Sequence, residues 1–124
     1  MTNDSIQGIE AITRIGPEPA RAHVPPLSDY ASASPEWKEV EYRFFEGLDA
    51  SLTGGYWTGE AGKVSFEAWP YTEMCSILSG RVALCDTRGQ KLEFGPGDGF
   101  IVPKGWAGSW ITLERTSKIF LAID

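Results

Sequence analysis

The sequence predicts an all-β fold, a small barrel of antiparallel strands preceded by an extended arm. Three observations predict it: short runs of alternating or apolar residues, turn signals at nearly regular spacing, and no helical period of useful length. The chain has 124 residues, including 14 Gly and 8 Pro. That length suffices for one domain with one core, and the frequent Gly and Pro favour short strands over long helices.

The first part of the chain, residues 1–35, is predicted to be an extended arm. It holds five of the eight prolines and no aromatic residue before Tyr30. Prolines disfavour helices and central strands, and a segment so poor in large apolar side chains cannot build a core alone. We expect the arm to lie on the barrel or on a partner subunit, or to be partly disordered. The single histidine, His23, is expected to be an exposed arm residue.

The remaining residues, 36–124, are predicted to form the barrel. Its strands, in order along the chain, are 37–44, 56–58, 63–69, 74–78, 81–85, 90–94, 99–102, 108–113 and 118–123. The first and third runs alternate in character, as strands with two different faces do. Gly54-Gly55 separates the first strand from the second, and Gly59 to Gly62 is the turn before the third. Pro70 ends the third strand or sits at its edge.

Two hairpins are predicted in the middle of the barrel. The apolar run 74–78 leads into Ser79-Gly80, a tight-turn signal. A two-residue turn there pairs Cys75 with Leu84 and puts the two cysteines on opposite faces, so we expect two free thiols. Asp86–Gly89 predicts the second hairpin loop, because its glycine can take a positive φ.

The composition excludes several classes of function. The net charge is -6 and the isoelectric point is about 4.7. An acidic chain is unsuited to binding nucleic acid or an anionic membrane, both of which need a basic face. No run approaches the roughly 18 apolar residues of a membrane helix. No secretory signal is visible in the first residues, and two cysteines fit a reducing compartment, so we expect a cytoplasmic protein.

The turns and several side chains together resemble a known family. They are Glu73 followed after six residues by Gly80, then Gly97-Asp98, Pro103, Gly105, Trp110 and Lys118. Over about residues 54–123 the chain resembles a small single-domain cupin group, which includes the cupin domains of (S)-ureidoglycine aminohydrolase and of an ethanolamine-utilisation protein. The resemblance implies a double-stranded β-helix, the jelly-roll-like cupin barrel. Many members of the group have no assigned activity, so it implies a fold rather than a reaction.

The resemblance also locates the positions where cupin enzymes usually hold a metal with histidines. The pattern maps Glu67 and Trp69 onto two histidine positions of the first motif and Gly108 onto that of the second. Only Glu73 is an unambiguous donor among the four positions, with Glu67 as a second candidate. Because tight transition-metal sites take three or more protein ligands, we expect no such metal and no cofactor. Two carboxylates give at best a weak site for a hard cation.

Strand alternation selects the candidate catalytic residues. If Glu67 points into the barrel, it shares the interior with Glu73, and two nearby carboxylates can serve as acid and base. In the alternative reading, Glu67 faces solvent and Glu73 belongs to a buried structural pair. A buried carboxylate needs a cation, and Lys118 is the best candidate, ahead of Arg81 and Lys104.

Four residues are candidates for ligand binding. Trp69 and Trp110 can form a stacking platform for a planar or cationic ligand, or can simply belong to the core. Tyr71 can donate to a ligand at the barrel mouth or lie in a surface loop. Cys75 is a candidate nucleophile, but with no nearby histidine it is better explained as a small buried apolar residue.

These residues leave two functional hypotheses. The first is a small-molecule-binding or structural cupin barrel that lacks the usual histidine metal site. The second is an enzyme that acts on a small nitrogenous or polar metabolite, with Glu73 as acid, base or weak metal ligand. In both cases we expect a homodimer, because covering exposed sheet edges prevents uncontrolled strand pairing.

Overall fold

The computed structural model describes residues 8–16, 20–47 and 49–124 and confirms the all-β prediction. The strands are β1 (Arg21–His23), β2 (Ser32–Ala33), β3 (Glu39–Gly47), β4 (Leu52–Gly59), β5 (Gly62–Phe66), β6 (Thr72–Asp86), β7 (Lys91–Phe94), β8 (Gly99–Val102) and β9 (Gly108–Ile123). Within the described residues the helices are two single 3-10 turns, Ile9–Ala11 and Leu27–Asp29. Neither is long and apolar enough to cross a membrane.

Two long strands, β6 and β9, connect the two ends of the curled sheet. The main path of the sheet runs β1-β3-β4-β9-β5-β2, and β6 pairs with β7, β8 and β9. The first part of β9 pairs with β5 and with Val82–Asp86, whereas its second part pairs with β4 and with Thr72–Ile77. Because both strands continue from one half of the barrel into the other, the two halves share one interior.

The predicted hairpin at Ser79-Gly80 is wrong. The runs 74–78 and 81–85 belong to one strand, and Cys75 pairs with Phe100 and Phe120 rather than with Leu84. Gly80 has a φ of +86°, and a Cβ atom there would lie 2.2 Å from the carbonyl oxygen of Arg115. Glycine is therefore needed for a bulge that packs against β9. A tight turn also favours glycine with a positive φ, so Ser79-Gly80 alone could not distinguish a bulge from a turn.

The predicted break between residues 113 and 118 is also absent, because β9 is continuous there. Thr116 and Ser117 are buried where β9 crosses the bulge of β6. The Thr116 hydroxyl accepts a hydrogen bond from the backbone N–H of Arg81 at 3.0 Å, and the hydroxyls of Ser117 and Ser79 are bonded at 2.6 Å. Polar residues thus replace the regular ladder at the crossing, and Lys118 lies inside the strand rather than at its beginning.

The second predicted hairpin is present between β6 and β7. Gly89 has a φ of +87°, and the Asp86 carboxylate accepts backbone N–H bonds from Arg88 at 2.9 Å and from Gln90 at 3.0 Å. Strand β8 has the predicted bounds. Here the local signals sufficed because the loop is exposed and its hydrogen bonds are made within five residues.

Two strands of the arm pair with strands of the barrel. Strand β1 pairs with β3, and β2 pairs with β5. Residues 1–7 and 17–19 of the predicted arm lie outside the described residues. The expectation that His23 is exposed is not met: it pairs with Glu41 across β1 and β3 and is half-buried.

Candidate functional site

The barrel contains a cavity of about 390 Å3 between the arm and the inner faces of the strands. Its lining combines carboxylates, two cations and many aromatic rings. The lining residues used below are His23, Asp29, Tyr30, Trp37, Glu39, Glu41, Arg43, Trp57, Phe66, Ala68, Trp69, Tyr71, Glu73, Trp110, Lys118 and Phe120. This volume lies within the range of small-molecule sites.

The floor of the cavity, which we define as Glu73, Lys118, Cys75 and Trp69, contains the predicted ion pair. Lys118 Nζ donates to Glu73 Oε2 at 2.7 Å, and each side chain is only 6% exposed. Strands β6 and β9 position the two residues, so the pair joins the long strands at the centre of the barrel. The prediction of a Glu73–Lys118 pair is therefore confirmed.

Aromatic rings surround the ammonium group of this pair. Lys118 Nζ lies 4.3 Å from the ring centroid of Trp110, 5.1 Å from that of Trp57 and 5.9 Å from that of Phe120. Burial by itself lowers the pKa of Lys118, but the acidic groups beside it, Cys75 and Glu73, raise that pKa by more. The lysine therefore stays an ammonium ion, which suits it for electrostatic work and not for nucleophilic attack.

The other two floor residues also bond to Glu73. Trp69 Nε1 donates to Oε1 at 3.2 Å, and Cys75 Sγ donates to Oε2 at 3.3 Å. Burial raises the pKa of Cys75 to about 12, with the charge of Glu73 adding to the effect and that of Lys118 opposing it. The thiol is thus protonated at neutral pH, so Cys75 acts as a hydrogen-bond donor and a packing residue.

The wall of the cavity, which we define as Glu39, Tyr30, Trp37 and Trp57, holds a second buried carboxylate. Glu39 accepts hydrogen bonds from Trp37 Nε1 at 2.7 Å, from Trp57 Nε1 at 2.8 Å and from the Tyr30 hydroxyl. All three donors are neutral. Burial raises the pKa of Tyr30, and the charge of Glu39 and the hydrogen bond to it raise it further. The Glu39 carboxylate is thus held in the wall by neutral donors, without a cation.

The outer part of the cavity carries further charges. Arg43 Nε contacts Glu41 Oε2 at 3.1 Å on the same face of β3. His23 and Asp29 come from the arm. Burial also raises the pKa of Tyr71, and the negative charge of Glu73 adds to the effect, so this phenol remains a neutral donor.

The structure brings together all but one of the residues selected from the sequence. Glu73, Lys118, Trp69, Trp110 and Tyr71 line the cavity, and Cys75 is buried beside Glu73. Glu67 is exposed and does not line the cavity, so of the two alternatives given for it the solvent-facing one holds, and Glu67 is not a catalytic partner of Glu73. Strand β5 ends at Phe66, and strand alternation does not extend into the turn that follows.

A histidine-type cupin metal does not fit these residues. Of the positions that would supply ligands, Trp69 offers an indole, Gly108 has no side chain, and Glu67 is outside the cavity. The Lys118 ammonium lies beside Glu73, where a metal would neutralise the carboxylate. Within the described residues, no group of three His, Cys, Asp or Glu could hold a metal ion.

The residues of the wall were not among the candidates selected from the sequence. The alternation of Glu39, Glu41 and Arg43 in β3 was visible, but charged residues in that period usually mark a solvent face. Here they line the cavity, while Tyr42 faces the other way, next to Tyr56. The alternation was visible in the sequence, but only the three-dimensional structure shows which face of β3 points into the cavity.

The comparisons with known proteins agree with this fold. The sequence model of the EutQ-like cupin domain matches residues 46–120. No curated protein matches the chain.

Several solved structures are similar. The EutQ protein of Clostridium difficile superposes with a TM-score of 0.63 at 18% identity, covering 79% of this chain and 78% of that one. A Pseudomonas syringae protein of unknown function has a TM-score of 0.67 at 22% identity over 86% of this chain, which spans only 45% of that protein. A Rhizobium leguminosarum protein of unknown function has a TM-score of 0.60 at 17% identity, covering 82% of this chain and 95% of that one. At these identities the likeness shows the fold alone.

Proposed function

The chain belongs to the EutQ-like cupin domain family, and from that premise we propose that it is a small-molecule-binding barrel whose ligand occupies the cavity above the floor. The proposal rests chiefly on the volume and the lining of that cavity. It offers about 390 Å3 between aromatic rings, with a few polar groups directed into it. Ligand sites typically combine an apolar lining with a small number of placed polar groups.

The floor supports binding better than it supports metal chemistry. Its charge is already balanced by Lys118, so the site needs no metal to keep Glu73 in the interior. A rigid ion pair surrounded by rings gives a ligand one fixed polar end to recognise. The function proposed is therefore recognition and retention of a small molecule.

Blocking the cavity tests this proposal. Ala68 lines the cavity and is exposed, so Ala68→Trp would fill its opening. Ala61, exposed in the turn between β4 and β5, accepts the matched control Ala61→Trp. In a fragment screen monitored by tryptophan fluorescence and thermal shift, we expect ligands that bind the native protein and Ala61→Trp but not Ala68→Trp. Hits that bind all three proteins equally would place binding elsewhere and contradict the proposal.

The second candidate is an enzyme that acts on a small nitrogenous or polar metabolite, with Glu73 as acid or base. One observation favours it: Glu73 lines the cavity, and hydrogen bonds from Lys118, Trp69 and Cys75 hold its carboxylate in one position. This candidate predicts ammonia release from small amides or ureido compounds. Loss of that release in a folded Glu73→Gln variant would support the enzyme over the binding module.

We also propose that the protein is a cytoplasmic homodimer. Both cysteines are free, as suits a reducing compartment. Strands β7 and β8 have four residues each, and among the described strands each pairs with β6 alone, so each has an outer edge that a second copy could cover. Light scattering at micromolar concentration should give twice the chain mass, and a monomer mass would reject the dimer.

A further inference from the structure

The wall of the cavity differs from the floor in one respect that bears on the ligand. Glu39 is 9% exposed and its carboxylate is bonded to three neutral groups. Among the described residues, no lysine, arginine or histidine forms an ion pair with it. A buried carboxylate is ordinarily paired with a cation, whereas here hydrogen bonds from neutral donors stabilise the charge without cancelling it.

The charges of the whole cavity point in the same direction. Four carboxylates line it, from Asp29, Glu39, Glu41 and Glu73, against the two permanent cations of Arg43 and Lys118. With His23 neutral, the lining carries a net charge of 2 − 4 = −2. Glu73 is paired with Lys118 and Glu41 with Arg43, which leaves Glu39 and Asp29 unbalanced. A positively charged ligand would restore the balance.

The aromatic lining suits the same ligand. Eight rings face the cavity, those of Tyr30, Trp37, Trp57, Phe66, Trp69, Tyr71, Trp110 and Phe120. The faces of such rings attract cations, and tryptophan does so most strongly. One such cation–π contact is present within the protein itself, since Lys118 Nζ lies 4.3 Å from the ring centroid of Trp110. Trp57 belongs to both environments: its ring lies near Lys118 and its N–H holds Glu39.

We propose that the ligand is a small organic cation, an ammonium compound with an apolar body, whose positive charge is balanced by Glu39. The inference rests on the proposed binding function and adds the chemical class of the ligand. Glu39 has a remaining lone pair, because Oε2 accepts two hydrogen bonds and Oε1 accepts one. The ligand's ammonium group is held beside the wall, because Lys118 already occupies the space between the rings of Trp57, Trp110 and Phe120.

Three four-carbon probes of similar size and different charge test the class. They are butylammonium, butanol and butyrate, each titrated by calorimetry and by quenching of tryptophan fluorescence. We expect butylammonium to bind at least roughly tenfold more tightly than butanol, because its charge interacts with the desolvated Glu39 carboxylate. Butyrate should bind most weakly of the three, because the same carboxylate repels it. Equal binding of butanol, or a preference for butyrate, would overturn the cation proposal and leave the binding function standing. Failure of butylammonium to bind would also overturn it.

A charge-removing variant identifies the counter-charge. Glu39→Gln should weaken butylammonium binding about tenfold and leave butanol binding nearly unchanged. The matched control is Glu36→Gln, an exposed residue outside the cavity, which should change neither. If Glu39→Gln fails to fold, Glu41→Gln replaces it and should weaken butylammonium less, because Arg43 already offsets that carboxylate. Unchanged butylammonium binding in folded Glu39→Gln would show that the aromatic rings alone hold the cation and would reject the role of Glu39.

Discussion

The floor and the wall of the cavity each hold a buried carboxylate, and they hold it by different means. In the floor, Glu73 contacts the Lys118 ammonium at 2.7 Å, and both side chains come from the long strands of the barrel. In the wall, Glu39 is held by two indole N–H groups and one phenol, and the phenol belongs to the arm. The floor is balanced in charge by itself, whereas the wall keeps an excess negative charge.

The difference teaches how each region responds to change. An ion pair shielded from water is costly to break, because the remaining charge cannot be solvated. Of the two carboxylates, Glu39 is the more exposed, at 9% against 4% for Glu73, so water in the cavity replaces a lost donor more easily there. We therefore regard the floor as the structural centre of the barrel and the wall as the region that can respond to a ligand.

The largest expected effect is in the floor. Lys118→Met leaves Glu73 charged and buried, and should lower the free energy of unfolding by about 3–5 kcal/mol. The control is Lys91→Met on the exposed strand β7, which should change it by less than about 0.5 kcal/mol. Urea denaturation of both variants measures the difference. Equal stabilities would mean that the pair contributes nothing.

In the wall the expected effect is smaller. Glu39→Ala leaves three donors without their acceptor and should lower the free energy of unfolding by about 2–3 kcal/mol, limited by hydration from the cavity. Glu36→Ala, on the exposed surface, should have almost no effect. The same denaturation experiment tests it. A loss larger than that of Lys118→Met would reverse the comparison between wall and floor.

Alkaline titration should separate the two regions further. Burial raises the pKa of Tyr71 near the floor and of Tyr30 in the wall, with the nearby carboxylates adding to both shifts. A phenol whose folded pKa is raised stabilises the fold fully below its unfolded pKa of about 10, and this contribution is lost as the pH rises above it. We expect stability to fall above that pH, and tyrosinate absorbance to develop late.

Single variants assign the late absorbance. Tyr71→Phe and Tyr30→Phe should each remove part of the absorbance that develops above the usual range, because burial raises the pKa of both phenols. Absorbance unchanged in both cavity variants would show that neither phenol is shielded from ionisation.

The smallest expected effect is chemical and leaves stability unchanged. Cys75 is fully buried and its pKa is raised to about 12, whereas Cys85 is half-buried. With a thiol-alkylating reagent near neutral pH, we expect one accessible thiol in the folded protein, and Cys85→Ser should remove it. Cys75 should react only when the protein unfolds. Rapid labelling that persists in Cys85→Ser would show that solvent reaches the floor.

The sequence by itself determined the all-β class, the exposed hairpin at Asp86–Gly89 and the Glu73–Lys118 pair. These features depend on local turn chemistry or on a rule that holds in any barrel, namely that a buried carboxylate requires a partner. The resemblance to the cupin motifs located Glu73, and the same resemblance, together with the absence of nearby histidines, pointed to Lys118 as its partner. No distant geometry was needed for these conclusions.

Tertiary structure alone decided the rest. Gly80 became a bulge instead of a turn because Arg115 of β9 lies directly against it. Glu67 faces outward because β5 ends one residue earlier, and Glu39 faces inward because its strand borders the cavity, where indole and phenol donors meet its carboxylate. Tyr30 of the arm donates a hydrogen bond to Glu39 of β3. Each outcome depends on which segments meet in space, and neither strand periodicity nor local turn chemistry contains that information.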